Sequence, residues 1–344
     1  MSEPWRMADR AAHLTEFLSR SGWGSAERWH LAGDASDRRY ERLRLGAATA
    51  VLMDNPPGGA DDPAAFSAMA RHLRGLGLSA PAILAEDLTQ GFLLLEDLGD
   101  DLFARLVASD PAREEELYAA ATDTLLHLQA APPPPGLPNL SAEDWATVAG
   151  FALDWYAFAA TGTRPDPTDF HTAMTLALRA HADGQRVLIL RDFHAENLIW
   201  LPGRDGVART GLLDFQLGQL GQPGYDLVSL LQDARRNVSP ATEARMIARF
   251  VAARGMDPTA FAAHYATLGA QRALRILGVF ARLCLVAGKP GYLPLIPRVW
   301  SQLQANLGHP ALADLRAVCD RILPAPTPDL LQKIKNQCPP TPSR

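Results

Sequence analysis

Three polar side chains in the second half of the chain have the types and spacing that phosphoryl transfer requires. Asp192 and Asn197 stand five positions apart in RDFHAENLIW, and Asp214 closes the apolar run of GLLDFQ. Transfer from a nucleotide needs a carboxylate that orients the attacking hydroxyl and oxygen ligands that hold magnesium on the phosphates. Asp192 meets the first need; Asn197 and Asp214 meet the second. Magnesium takes near-octahedral oxygen ligation and keeps several waters, so one carboxylate and one amide oxygen suffice beside the phosphates. Taken singly, each has a plainer reading as a turn or cap residue. The ordered set predicts a kinase acting on a small molecule.

The neighbours of Asp192 add two candidates for contact with the acceptor. Arg191 precedes it and His194 follows by two. A histidine on a loop is more often structural than catalytic, and an arginine beside a carboxylate often does no more than neutralise it. Glu196 reads as solvated or bonded to the loop backbone.

These residues need short strands to present them. Val187–Leu190, Leu198–Leu201 and Gly211–Leu213 are apolar runs that end at the polar positions, which places Asp192, Asn197 and Asp214 on loops at strand ends. Earlier in the chain, 8–20 has helical spacing at Ala11, Leu14, Phe17 and Leu18. Strands are predicted at Trp29–Leu31, Tyr40–Leu45, Thr49–Met53, Pro81–Leu84 and Phe92–Leu95, with a helix over 62–76. From Asp101 helices dominate: 101–108, 111–130, 141–160, 168–182, 225–235, 240–253, 258–287 and 297–321. The class is α+β, a small strand-rich N-lobe followed by a larger helical C-lobe. We place the nucleotide-binding N-lobe at 1–97, the helical lobe with the catalytic and metal loops at 98–323, and a Pro-rich tail, mobile at its end, at 324–344.

Composition bounds the function. The 344 residues are 47% hydrophobic and 21% charged, as in a globular protein with a sizeable core. A formal net charge of −5 disfavours nucleic acid as a partner. The N-terminus has no signal-like apolar run, and the apolar stretch 276–287 is broken by Arg282, so no membrane span is expected. Three scattered cysteines predict a reducing cytoplasm rather than a disulfide framework. A monomer with a small-molecule substrate fits this composition. Lysine is absent before Lys289, so whatever cation meets phosphate in the first 288 residues is not a lysine.

RDFHAENLIW with LLDFQ and the downstream GQPGYDLVSLL resembles the aminoglycoside phosphotransferase family, relatives of the protein kinases. The resemblance implies a bilobal protein-kinase-like fold that uses ATP and Mg2+. Asp192 would be the base, Asn197 the loop amide and Asp214 the metal carboxylate, with Asp226 bracing the catalytic loop. LLEDLG matches the hinge, where main-chain groups from Glu96 to Leu98 would meet the adenine.

One departure narrows the resemblance. Kinase-like folds pair a Lys on the third strand with a Glu on the next helix. Here Met53 occupies the strand position, and 64–75 contains no Glu. Ser36, Asp37 and Arg38 of GDASDRRY are the candidates to meet phosphate instead. GDASDRRY, MDNPP, FLLLEDLGD, RDFHAENL and LLDFQ together look like the cell-wall amino-sugar anomeric kinases, over roughly residues 10–320. That group implies transfer to the C1 hydroxyl of N-acetylmuramate or N-acetylglucosamine in peptidoglycan recycling. The lactyl carboxylate of muramate would suit Arg191 or Arg275. Alternatives are another small-molecule kinase of the aminoglycoside or choline type, and a non-catalytic nucleotide-binding scaffold.

Overall fold

The computed structural model describes residues 4–31, 38–58 and 62–339. In chain order the elements begin with α1 (Pro4–Arg20), β1 (Glu27–Leu31), β2 (Arg39–Leu45), β3 (Ala48–Asp54), α2 (Pro63–Gly75), β4 (Ile83–Asp87) and β5 (Phe92–Glu96). Next come α3 (Phe103–Ser109), α4 (Glu114–Ala130), α5 (Ala142–Ala149), α6 (Phe158–Thr161) and α7 (Thr168–His181). Four short strands follow: β6 (Val187–Ile189), β7 (Leu198–Trp200), β8 (Thr210–Leu212) and β9 (Gln219–Gly221). The chain ends in α8 (Tyr225–Leu231), α9 (Pro240–Arg254), α10 (Pro258–Leu285), α11 (Ile296–Leu307), α12 (Ala313–Ile322) and α13 (Pro328–Lys335). Two compact units result, Met1–Thr124 with Ala195–Gly218 and Leu125–His194 with Gln219–Arg344. The boundaries differ from the expected border at 97/98. In particular, β7 and β8 group with the N-terminal sheet.

The first unit is built on an antiparallel sheet of order β1-β2-β3-β5-β4. Alternation sets its two faces. Leu43, Ala50, Leu52, Phe92 and Leu94 gather on one face against Leu14, Phe17 and Leu18 of α1. Those three recur at i, i+3 and i+4, the stripe of a helix with one buried side. Phe17 stacks on Phe92 with ring centroids 5.7 Å apart, and burying such a side chain stabilises by roughly 1.5–3 kcal/mol. Met53, Leu93 and Leu95 alternate onto the other face and are buried as well. The helix α2 begins as expected: Asp62 accepts from Ala64 N–H, with Pro63 in the first turn. The β7–β8 ribbon pairs Leu198 with Leu212 and Trp200 with Thr210. It is tied into this unit by a bond from Leu212 N–H to Ser79 O at 2.9 Å.

In the second unit β6 pairs with β9, Val187 opposite Gly221 and Ile189 opposite Gln219. The strand β9 is not legible in the sequence; Gln-Leu-Gly has no apolar alternation to announce it. The long helix α10 is buried around most of its surface. Its Gly278 lets it approach closely, since a Cβ there would lie 2.2 Å from Phe151 O. That contact falls at the start of a π-helical turn, Ala152–Ala157, so the single helix expected over 141–160 is instead α5, the π turn and α6. The helix expected over 297–321 is likewise interrupted at Gly308-His309-Pro310, because a proline cannot continue the hydrogen-bond ladder.

Within the tail expected at 324–344, Thr327 caps α13, and Ile334 of that helix is fully buried; 340–344 lie outside the described residues. Lys333 Nζ donates to Ala160 O at 2.6 Å and Gln337 Nε2 to Ala159 O at 2.8 Å. Cys338 then forms a disulfide with Cys284, Cα atoms 5.1 Å apart. Sparse cysteines had pointed to free thiols; Cys319 alone stays free and buried among the described residues. Among those residues no helix is long and apolar enough to cross a membrane.

Candidate functional site

The loop that carries Asp192 is shaped by a tight turn. Asp192 N–H donates to Leu190 O at 2.9 Å, and Arg191 between them has φ 73°. This is the geometry of a γ-turn with a left-handed central residue, a rare and strained conformation. It persists because neighbouring groups over-determine it. Asp226, fully buried at the start of α8, accepts from Leu190 N–H at 2.6 Å and from Arg191 N–H at 2.9 Å. One turn further along, Ser229 Oγ donates to Arg191 O at 3.3 Å and accepts from Arg272 Nη2 at 2.9 Å. Arg272 also donates to Gln232 O at 3.2 Å. Burial raises the Asp226 carboxyl to about 7; the two loop amides and the Arg272 charge act the other way, and the Asp192 charge adds to the rise. Burial lowers the Arg272 guanidinium, while Tyr225, Asp192 and Asp233 support its charge.

The other two members of the sequence-predicted set lie in the first unit, at one end of the β7–β8 ribbon. Asn197 immediately precedes β7, and Leu213 N–H donates to Asn197 O at 2.9 Å, so Asp214 emerges beside Asn197. Asp214 has φ 54°, a left-handed backbone that aspartate tolerates better than most residues. Phe215 next to it is buried and packs on Phe66 of α2, centroids 4.9 Å apart. This aromatic contact holds the segment to a helix that carries no Glu. Asp214 Oδ1 accepts from Gln216 Nε2 at 2.8 Å and from Arg38 Nη2 at 3.1 Å. Its side chain keeps 40% of its surface exposed, and Oδ2 meets no protein donor among the described residues. A partly exposed carboxylate with one oxygen free of protein donors suits a hard divalent cation.

Arg38, one of the three candidates to meet phosphate, pairs with Asp214. It lies just before β2, whose Arg39 and Tyr40 pair with Asp54 and Met53 of β3. The guanidinium is therefore one strand over from the position where Met53 stands, nearly buried, on Asp214 and 3.2 Å from Tyr40 Oη. Ser36 and Asp37 lie outside the described residues.

At the hinge the Glu96 side chain is occupied. It accepts from Ala82 N–H at 3.1 Å and pairs with Arg204 and with Arg74. The Glu96 amide is committed to Ala82 O at 2.8 Å. The Leu98 amide donates to no protein acceptor among the described residues. A turn shapes this stretch: Asp97 accepts from Gly99 N–H at 3.0 Å, Gly99 takes φ 85°, and Arg42 binds Asp97 and Asp100.

Arg191 and Asp192 are half-buried, Phe193 and His194 are buried, and Glu196 is exposed. His194 Nε2 lies 3.4 Å from Arg235 Nη1. Asp192, His194 and Arg191 belong to one unit, Asn197, Asp214 and Arg38 to the other. Sequence reasoning overlooked Ser229, Arg235 and Arg272. The first two lie within DLVSLLQDARR, where they read as ordinary helix residues, and Arg272 is one of three arginines in a largely apolar helix, the one that is buried; a charge in so apolar a stretch was the available signal.

Comparison with known proteins identifies the family. Residues 30–265 match the phosphotransferase enzyme family. The N-acetylmuramate/N-acetylglucosamine kinase of Caulobacter vibrioides is 41% identical over 93% of this chain and 98% of its own. The kinase of the same name from Pseudomonas aeruginosa is 31% identical over 88% and 91%. A solved choline/ethanolamine kinase family protein from Mesorhizobium loti superimposes with TM-score 0.61 at 16% identity, covering 90% of this chain and 99% of its own. That likeness shows the kinase-like fold expected from the sequence. With the family match spanning most of the chain and curated relatives aligned nearly end to end, this chain belongs to the phosphotransferase enzyme family.

Proposed function

We propose that this protein transfers the γ-phosphoryl group of ATP to the anomeric hydroxyl of N-acetylmuramate and N-acetylglucosamine, in cytoplasmic peptidoglycan recycling. The observation that carries the reading is the 41% identity, over nearly the whole of both chains, to a kinase named for those two sugars. The local geometry supports it. Asp192, held by the γ-turn, orients the C1 hydroxyl and takes its proton as the new P–O bond forms and ADP leaves. An anomeric hydroxyl is more acidic than an ordinary alcohol, so the base needs only modest strength. Asn197 and Asp214 would hold Mg2+, which supplies charge neutralisation on the phosphates. Arg38, already on Asp214, provides the phosphate-side cation in place of the absent lysine, with Ser36 beside it in sequence. The Leu98 amide and the Glu96 carbonyl face the adenine. Arg191 and His194 contact the sugar.

The test is direct. Incubation with ATP, magnesium and N-acetylmuramate should give a sugar 1-phosphate, recognised in the phosphorus NMR spectrum by its coupling to the anomeric proton. A phosphate at another carbon, or no product from either sugar, would sink the assignment. Asp192→Asn should lower kcat by about 10²–10⁴-fold and leave ATP affinity by calorimetry within a few-fold.

A further inference from the structure

Several arginines of the second unit pair with a carboxylate: Arg179 with Glu143, Arg186 with Asp183, Arg236 with Asp233, Arg321 with Asp169. Arg235 does not. Among the described residues its guanidinium meets no carboxylate, and its one side-chain contact is His194 Nε2 at 3.4 Å. An imidazole nitrogen carries no negative charge, so this contact does not balance the guanidinium charge.

The backbone that carries this charge is held in place. Arg235 N–H donates to Asp233 Oδ1 at 2.8 Å. The carbonyls on the same turn are held too, Asp233 O by Gln302 Nε2 at 3.1 Å and Ala234 O by Arg298 Nη1 at 3.1 Å. Asp233 is buried, and its other oxygen faces Arg236, so it does not serve as counter-ion to Arg235. Arg235 is half-buried. A half-buried guanidinium that faces no carboxylate is open to an anion from solvent, and its planar fork matches a carboxylate with two parallel hydrogen bonds.

His194 lies two residues beyond Asp192, a span of at most about 7 Å of extended chain. That is the scale of a pyranose ring, from the hydroxyl on C1 to a substituent across the ring. We propose that Arg235 binds a carboxylate carried by the acceptor sugar, and so sets the preference for an acidic N-acetyl amino sugar over its neutral counterpart. The inference rests on the amino-sugar reading above. His194 positions the guanidinium, and its contact with Arg235 links carboxylate binding to the loop that bears Asp192.

The experiment measures kcat/KM for N-acetylmuramate, its methyl ester and N-acetylglucosamine. In Arg235→Met the muramate-to-glucosamine ratio should fall by about 10- to 100-fold, mainly through KM for muramate, with Arg235→Lys recovering part of it. On the unaltered enzyme the methyl ester should lose a similar factor against the acid. That arm stands even where a variant fails to fold. An unchanged ratio in Arg235→Met, whether both sugars decline together or neither does, overturns the role of Arg235, as does equal turnover of acid and ester. Turnover of neither sugar by the unaltered enzyme overturns the amino-sugar reading itself, and this inference with it.

Discussion

Two consecutive main-chain amides converge on the Asp226 carboxylate, and a third group of the same loop, the Arg191 carbonyl, is met by Ser229. These bonds hold a backbone conformation that arginine would not adopt unaided. Burial raises Asp226 from 3.8 to about 7. The native protein therefore retains a proton on this group that the unfolded chain releases near pH 4. Its contribution to stability is fully present below that pH and is lost as pH rises through about 7. Asp226→Asn removes the titration, so urea midpoints of the variant relative to the parent should improve from about pH 5 to about pH 8; parallel curves would contradict this. Turnover should fall in the same variant, because an amide offers one acceptor where two loop amides need two. Arg38 makes a second argument at this scale. Replacing it with Met removes the cation on Asp214 without opening a charge-sized cavity, and kcat/KM for ATP should drop by about 10²-fold. Normal ATP kinetics in Arg38→Met would assign phosphate contact to another group.

Among the elements, the short ones place the chemistry. The strands β6 and β7 are three residues each, too short to be stable alone. They are held by pairing with β9 and β8 and by burial of every side chain they carry. Helix α13 illustrates the opposite case, a segment whose composition reads as tail but whose Ile334 is anchored. The Cys284–Cys338 disulfide closes a separation of 54 residues, which in the chain-entropy account is worth about 4 kcal/mol. Under oxidising conditions Cys338→Ser should lower the urea midpoint accordingly and expose the 324–328 connection to protease. If parent and variant unfold together in oxidising buffer, the bridge does not form in solution.

For the molecule as a whole, the net charge is −5, and among the described residues no helix is long and apolar enough to cross a membrane. Division into units does not follow the order of the chain. The segment Ala195–Gly218 returns to the N-terminal unit, and α4 contributes to both. A border at 97/98 follows from the change from strands to helices; the units follow from pairing and burial, which connect residues far apart in sequence.

Periodicity and motif spacing were enough to identify the sheet strands, most helices, and the roles open to Asp192, Asn197 and Asp214, because local patterns encode local structure. Absence of the strand lysine was equally plain in the sequence. What only the tertiary structure decided is which groups the arginines meet. Arg38 reaches Asp214 across 176 positions and Arg272 reaches Ser229 across 43. Arg235 meets His194 across 41. An arginine's chemical role depends on which carbonyl, carboxylate or ring it faces after folding, and no local pattern carries that information.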